Sequence, residues 1–530
     1  AERDLLTAQG VELASGGKQK IFEEQFLIYR GLTRPSKGLW LTYAANDAEG
    51  RELSPSSLIE RLQRLDEGLQ IEPMPAFDLE ETAPAAVFHL LGGEMRKATA
   101  EAPLSPLWQD IYGFFDENSQ WQKHLSLLKQ GIGKTAKPER LSPKTAKTLY
   151  GKNIFSSVSR LERFAGCPFS FFAEYGLKAE ERRLYQLNTP DLGSLFHEVL
   201  ELFSNKLEQD SLPWTSLTKE ETTARIHAAV EDAAPRLGNR ILLDSAANQY
   251  LIRRLKRIST RAAWTLVQHL QQGDFVPAGY EVGFGAHEAL PPIVIRLQDG
   301  GSLILNGKID RVDLLDASGT RYVKIIDYKS GNKTFHFQDI YYGLQLQLLV
   351  YLDAYLKYYK KTGASFKPGG VFYFRITDPT LALDEELSAE AIEKILYEKM
   401  RMSGLLLQED VLIHGLDHSL AESRSSAIVP VGYTKKGDPT AASNLATEEQ
   451  YAAILDFVAT RTQEIGDAMK AGIIAPAPYR DGQRTPCAYC SYRSLCRHSY
   501  AEAPKWRKLK KIDKVDFWES ITPKQPPETE

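Results

Sequence analysis

GKIDRVD at residues 307–313 and IIDYKSG at residues 325–331 are the two stretches on which the reading of this 530-residue chain turns. In the second, strand alternation sends Asp327 and Lys329 to one face and Tyr328 to the other. Phosphodiester hydrolysis needs a divalent cation that polarises the phosphate and acidifies an attacking water, and Mg²⁺ takes oxygen ligands while keeping several waters. Asp327 is suited to hold such an ion, with the Lys329 ammonium close by to orient the water or offset phosphate charge. In the first stretch Asp310 and Asp313 are three apart, so they point to opposite faces and at most one shares the site. Alone, an Asp-x-Lys triplet says little, because surface ion pairs generate many.

The surroundings say more. Strands are expected near 279–285, 292–297, 302–315 and 321–328, a helix over 338–361 and a strand over 369–376. A loop-rich stretch at 410–445 precedes a helix near 447–471. GKIDRVD, then IIDYKSG, then a helix carrying LQLQLLVY (344–351) resembles the PD-(D/E)xK nuclease core, and more narrowly the nuclease domain of RecB-like proteins. The resemblance implies an α/β, restriction-endonuclease-like fold with Asp310 and Asp327 as metal ligands and Lys329 as the catalytic lysine. It also implies a Gln-x-x-x-Tyr motif, matched by Gln347 and Tyr351, which are i, i+4 neighbours on one helix face. Gln345 lies nearly opposite Gln347; the repeat favours Gln347 but leaves the register open. Upstream, DLGSLFHEVLELF (191–203) reads as an amphipathic helix with His197 beside its apolar stripe. A lone His there is more often structural, but the RecB-like pattern supplies a metal-binding His from such a helix, and Gly193, His197 and Glu201 fit it. Glu201 would orient His197 or support the site from behind. His336 and His414 read as ordinary polar residues.

The chain has four cysteines: Cys487, Cys490 and Cys496 in CAYCSYRSLC, and Cys167 far upstream. A CxxC pair suits a metal site in a reducing compartment better than disulfides. Structural zinc usually draws two close pairs, whereas a one-plus-three division suits a [4Fe–4S] cluster; spacing puts iron–sulfur only slightly ahead. The wording weighs further, since LERFAGCPFSFFAEYGL (161–177) and TPCAYCSYRSLC (485–496) closely resemble the iron–sulfur clasp of the AddB family, with a similar cluster in CRISPR-associated RecB-like exonucleases. Closing so long a loop removes about 5 kcal/mol of chain entropy from the unfolded state, so the implied role is a structural fastener.

Near the start, YRGLTRPSKGLWLTY (29–43) follows a helix with Phe22, Phe26, Leu27 and Tyr29 on one face, predicts a buried strand over Gly38–Tyr43, and is followed by a turn at Asn46–Gly50. It resembles the last ATPase motif of superfamily 1 helicases, with Arg34 at the phosphate-sensing position, but no GxxxxGK[ST] loop accompanies it. The expected division is a helicase-like C-terminal piece (1–64), a helical connector (65–150) with a basic, loop-like linker at 131–147, the nuclease domain (151–500) and a basic, aromatic tail (501–530). That tail, with Tyr492, Arg493 and Arg497, would either track a single strand or pack Trp506, Leu509 and Val515 onto a partner. The helix containing Arg253, Arg254, Lys256, Arg257 and Arg261 reads as a solvated face rather than a DNA contact.

Net charge is −4, from 65 basic and 69 acidic residues, so any DNA-binding surface must be local. No signal segment or long apolar run is evident, which predicts a cytoplasmic protein and no membrane partner; the start without Met suggests part of a longer polypeptide. The resemblance implies Mg²⁺-dependent cleavage of single-stranded DNA unwound from duplex ends, in a heterodimer with an AddA-like helicase–nuclease, on the 5′-terminated strand during recombinational repair. ATP would act only through that complex. Competing expectations are a stand-alone CRISPR-associated exonuclease and a non-catalytic DNA-binding scaffold.

Overall fold

The computed structural model describes residues 8, 17–45, 52–66, 68–72, 82–98, 103–132, 140–180, 189–236, 246–381, 387–496, 498 and 506–522. The chain forms two compact units, Ala1–Thr135 and Ala136–Glu530.

The first unit is helical: α1 (Gly17–Thr33), α2 (Ser57–Leu65), α3 (Pro84–Lys97), α4 (Pro106–Glu117) and α5 (Ser119–Ile132). The prolines at 84 and 106 start helices rather than break them, because the first helical position needs no N–H partner. Val87, Leu91, Phe115 and Leu125 form its small core. The α1 helix is as expected, but Phe22, Phe26, Leu27 and Tyr29 are exposed. Gly38–Tyr43 is not a strand, and Trp40 is 92% exposed; among the described residues it has no neighbouring strand to complete a ladder. Arg34 is likewise exposed, and the turn expected at Asn46–Gly50 lies outside the described residues.

The second unit begins with α6 (Pro143–Tyr150), so the end of the expected basic linker is helical, capped by the Ser142 hydroxyl. There follow β1 (Asn153–Ser156), α7 (Val158–Gly166), α8 (Thr189–Gln209), α9 (Lys219–Ala233) and α10 (Ala246–Gln271). The strands β2 (Val276–Phe284), β3 (Ile293–Arg296), β4 (Ser302–Leu305), β5 (Gly307–Ala317) and β6 (Thr320–Lys329) lead to α11 (Phe337–Tyr341) and α12 (Gln347–Lys361). Then come β7 (Lys367–Arg375), α13 (Ala389–Lys399), β8 (Ser403–Leu407), α14 (Asp410–Leu416), β9 (Leu445–Ala446), α15 (Glu448–Lys470), β10 (Tyr479–Arg480), β11 (Arg507–Lys508) and α16 (Lys514–Ile521).

A six-stranded sheet of order β2-β5-β6-β7-β8-β9 carries the site. Its β5–β6 pair is antiparallel and β6–β7 parallel. The strand expected over 302–315 is two strands in different sheets: β4 pairs with β1 and β3, and the chain crosses at Asn306 into β5. Gly307 permits the crossing, since a Cβ there would stand 2.2 Å from the Tyr351 hydroxyl. The helix expected over 338–361 is also broken, at Gly343, whose φ of +73° suits glycine. That break gives α12 its own N-terminus at Gln347. Of the tail residues, Val515 is exposed, and α16 instead buries Phe517 and Trp518 against Phe337 of the same chain.

Candidate active site

Strand alternation and register assemble the site. Arg311 pairs with Ile326, so Asp310 and Asp327 stand opposite each other on one face, where Lys329 follows. Asp313 falls on the other face, as expected. Asp310 accepts the Tyr328 backbone N–H at 2.6 Å and lies 3.3 Å from His197 Nδ1 on α8. Lys329 Nζ is 2.5 Å from Asp327 Oδ2, and Gln347 Nε2 donates to Asp327 Oδ1 at 2.7 Å. Lys329 also donates to Gln347 Oε1 at 3.4 Å. Of the two glutamines, Gln347 reaches Asp327, whereas Gln345 ties the 334–336 loop through Thr334 O and His336 N. Tyr351, one turn after Gln347, is buried beside Phe284 and under the Gly307 backbone.

Two participants are not visible in the sequence. Glu281 on β2 joins His197 and Asp310 so that a ligand atom from each lies within 4.8 Å of the others. It does so because of a bulge: the β2–β5 register shifts between Pro277 and Gly279. Continuing from Pro277–Asp313 would set Glu281 opposite Ile309, but the shifted register (Tyr280–Arg311, Val282–Ile309) sets it opposite Asp310. One extra residue moves the side chain to the other face, and Glu281 itself has φ +46°, an uncommon conformation for a residue with a side chain. Glu162 on α7 is the other. Its Oε1 accepts the N–H groups of Leu346 and Gln347 at 2.8 and 3.1 Å, filling the open N-terminus of α12, and its Oε2 is 3.2 Å from Lys333 Nζ.

The electrostatics are those of crowded anions. Burial, then the Asp310 charge, pushes the Asp327 carboxyl up to about 6. Burial, then Asp310 and Glu201, pushes Glu281 up to about 7. Burial would lower His197 and Lys329, but Asp310 for the first and Asp327 with Asp310 for the second more than offset it and raise both. Asp327 Oδ2 is met only by the Lys329 ammonium. Carboxylates repelling one another beside a neighbouring imidazole fit a divalent cation held by oxygen and nitrogen. The adjoining cavity runs past Gly193, His197, Glu201, Glu281 and Ser330; Glu201 lies in its wall, while the ion-pair partner of His197 is Asp310.

All four cysteines are free, Cys167 buried and the others half-buried. The backbone N–H groups of Ser170, Phe169 and Ala477 face Cys167 Sγ and offset part of the burial that raises its thiol, so the chain approaches it from both ends of the nuclease region. Burial raises the Cys167 and Cys487 thiols; Cys487 adds to the first, and Cys490 and Cys496 to the second. The sulfurs are not drawn into a tight group: among the described residues no three of them lie within 4.8 Å of one another. The Tyr492 hydroxyl donates to Ala179 O at 3.0 Å, and Arg507 donates to Ala165 O, tying the C-terminal segment to the residues around Cys167.

Residues 156–497 match the PD-(D/E)XK nuclease superfamily, and residues 82–131 match the fifth domain of the ATP-dependent helicase/deoxyribonuclease AddB. An ATP-dependent helicase/deoxyribonuclease subunit of Alkaliphilus oremlandii is 38% identical over 528 residues, 98% of this chain and 46% of that protein. The protein of the same name from Alkaliphilus metalliredigens is 39% identical over 503 residues (94% and 44%), and that from Desulforamulus reducens 38% over 505 (94% and 44%). The chain thus spans about half the length of the curated relatives it matches. Among the described residues no helix is long and apolar enough to cross a membrane.

Proposed function

From the premise that the chain belongs to the PD-(D/E)XK nuclease superfamily, we propose that its α/β unit is a Mg²⁺-dependent deoxyribonuclease acting within an AddB-type helicase–nuclease. The observation that carries this is the convergence of Asp310, Asp327, Glu281 and His197 with Lys329 on one end of the sheet. Asp310, Asp327 and His197, joined by Glu281, would hold the metal, which when bound supplies charge to the phosphate and acidity to a water. Lys329, anchored by Asp327 and Gln347, keeps its ammonium charge where the scissile phosphate would lie. Gln347 holds the second Asp327 oxygen, and Tyr351, one turn on, supports it from the core beneath Gly307.

The wider role follows the relatives' names. A heterodimer with an AddA-like motor protein would deliver single-stranded DNA from duplex ends to this site, and the 5′-terminated strand is the one proposed to be cut, in the cytoplasm. Asp327→Ala in the full-length complex should abolish Mg²⁺-dependent cleavage of a strand-labelled duplex while DNA binding persists; undiminished cleavage would sink the assignment. The one-plus-three division of Cys167 with Cys487, Cys490 and Cys496, and the likeness of their flanking segments to the AddB clasp, also support a [4Fe–4S] cluster over mononuclear zinc. Anaerobically purified protein should then be brown, with about four irons, and Cys487→Ala should lose the colour. A colourless protein containing zinc overturns that part alone.

A further inference from the structure

Away from the acids, α9, α10 and α13 enclose a cavity of about 410 Å³. Arg253, Lys256, Arg257 and Arg261 line one side of it, and Trp264 and Tyr397 provide aromatic surface. Their spacing along α10 places residues 253, 256, 257, 261 and 264 on a single helix face, so a row of cations ends in an indole ring. The sequence alone suggests a solvated face; Arg253, Arg254 and Arg257 are indeed exposed, and four of the five cations also line a concavity.

The charges there are only partly answered. Arg257 Nη2 is 2.6 Å from Asp378, Lys256 Nζ 2.5 Å from Glu231, Lys219 Nζ 3.5 Å and Arg261 Nη1 3.9 Å from Glu393. The five lining cations, counting Lys219 and the exposed Arg253, therefore face three carboxylates: Asp378, Glu231 and Glu393. Arg261 Nε, 3.4 Å from Asp378, and Thr260 Oγ1 are buried without a hydrogen-bond partner. Asp378 also fixes the location. It lies three residues beyond Arg375, which pairs with Lys329 in the β6–β7 register. Chain reach and strand spacing hold the Asp378 Cα within about 16 Å of the Lys329 Cα.

We propose that this cavity is a subsite for the nucleic-acid strand, its phosphates meeting Arg253, Lys256 and Arg257 and a base lying against Trp264 and Tyr397. The inference rests on the nuclease reading, since it is the closeness to Lys329 that makes the occupant the same strand. Cations in a row with flat aromatic surface suit single strands of any sequence, by phosphate neutralisation and stacking. An acidic protein segment would use the cations but has no need of the rings.

The test is fluorescence anisotropy of labelled strands on the full-length protein, read without metal and so independently of cleavage. Arg253→Ala/Lys256→Ala should bind a long strand about tenfold more weakly, and the log–log salt slope should fall by about 1.4, two phosphates at roughly 0.7 each. Trp264→Phe, which keeps an aromatic wall and the packing, should retain the slope. Affinity and slope both unchanged in the double variant, with its melting temperature intact, overturn the subsite and leave the cavity to an acidic protein segment. Failure of wild-type protein to cleave in Mg²⁺ would instead strike the nuclease reading, which the anisotropy does not touch.

Discussion

The two faces of the β5–β6 ladder carry buried charge in opposite ways. On one, Arg311 grips Asp313 with two hydrogen bonds of 2.6 and 3.1 Å, and Lys324 approaches the same carboxylate at 2.9 Å. Arg311 lies over the Trp214 ring and Lys324 over Phe275. Burial pushes the Asp313 carboxyl up, but its two cationic neighbours more than offset that and hold it low. On the other face three carboxylates, Asp310, Asp327 and Glu281, share one lysine and a histidine, and Asp327 is pushed up to about 6. The first cluster is answered by the protein itself; the second is answered only in part. A buried charge is therefore not by itself a sign of chemistry, whereas a surplus of carboxylates beside an open cavity, with an imidazole among them, fits a cation.

The sharpest way to break this contrast is to mutate neighbours. Asp310→Asn should cut Mg²⁺-dependent cleavage by about a thousandfold or more, the scale of losing a group that stabilises the transition state. It should leave the metal-free melting temperature unchanged or higher, because it removes a repelling charge. Arg311→Met, the adjacent residue, should instead destabilise the unit by about 3–5 kcal/mol, leaving the buried Asp313 with a single partner, as denaturant titration would read. Equal stability losses in both variants would erase the distinction between the faces.

A smaller effect sharpens the structural face. His269 is buried against Phe374 and Tyr397, its ring nitrogens lack partners, and burial followed by the Lys324 and Arg311 charges lowers its pKa to about 3. The unfolded chain binds this proton more tightly, so stability is present above the unfolded pKa of about 6.5 and is lost as pH falls towards 3. The loss is about 1.4 kcal/mol per pH unit across that window. His269→Phe should flatten the acid limb of a stability-versus-pH curve; an unchanged slope would mean that the histidine is not held neutral.

How far the sequence reaches follows from which interactions are local. Asp310, Asp327 and Lys329 lie on two strands joined by a hairpin, where period-two alternation decides the faces, and Gln347 and Tyr351 share one helical turn. Glu281 escapes because its face depends on a bulge between Pro277 and Gly279, and a bulge leaves no mark on the alternation of a short strand. Gly38–Tyr43 misleads because a strand pattern needs a partner strand, and among the described residues it has none. Gly343 sits inside an apolar periodic run, so a continuous helix over 338–361 is the natural expectation, and it conceals the N-terminus that Glu162 caps.

Glu162 joins the two halves of the picture, since α7 ends one residue before Cys167 while its carboxylate holds the first turn of α12. The geometry makes it a positioning residue: it sets the backbone of Gln347, whose side chain sets Asp327 and Lys329. Glu162→Ala leaves two N–H groups unanswered and frees the α12 N-terminus, a loss of about 1–2 kcal/mol. If that loss falls on the alignment of Gln347, kcat should drop about tenfold with little change in KM. Glu162→Gln keeps an oxygen that can accept the same two N–H groups, and should recover most of the rate. A drop in melting temperature without a change in kcat, or no rescue by glutamine, would reduce Glu162 to a helix cap with no hold on the site.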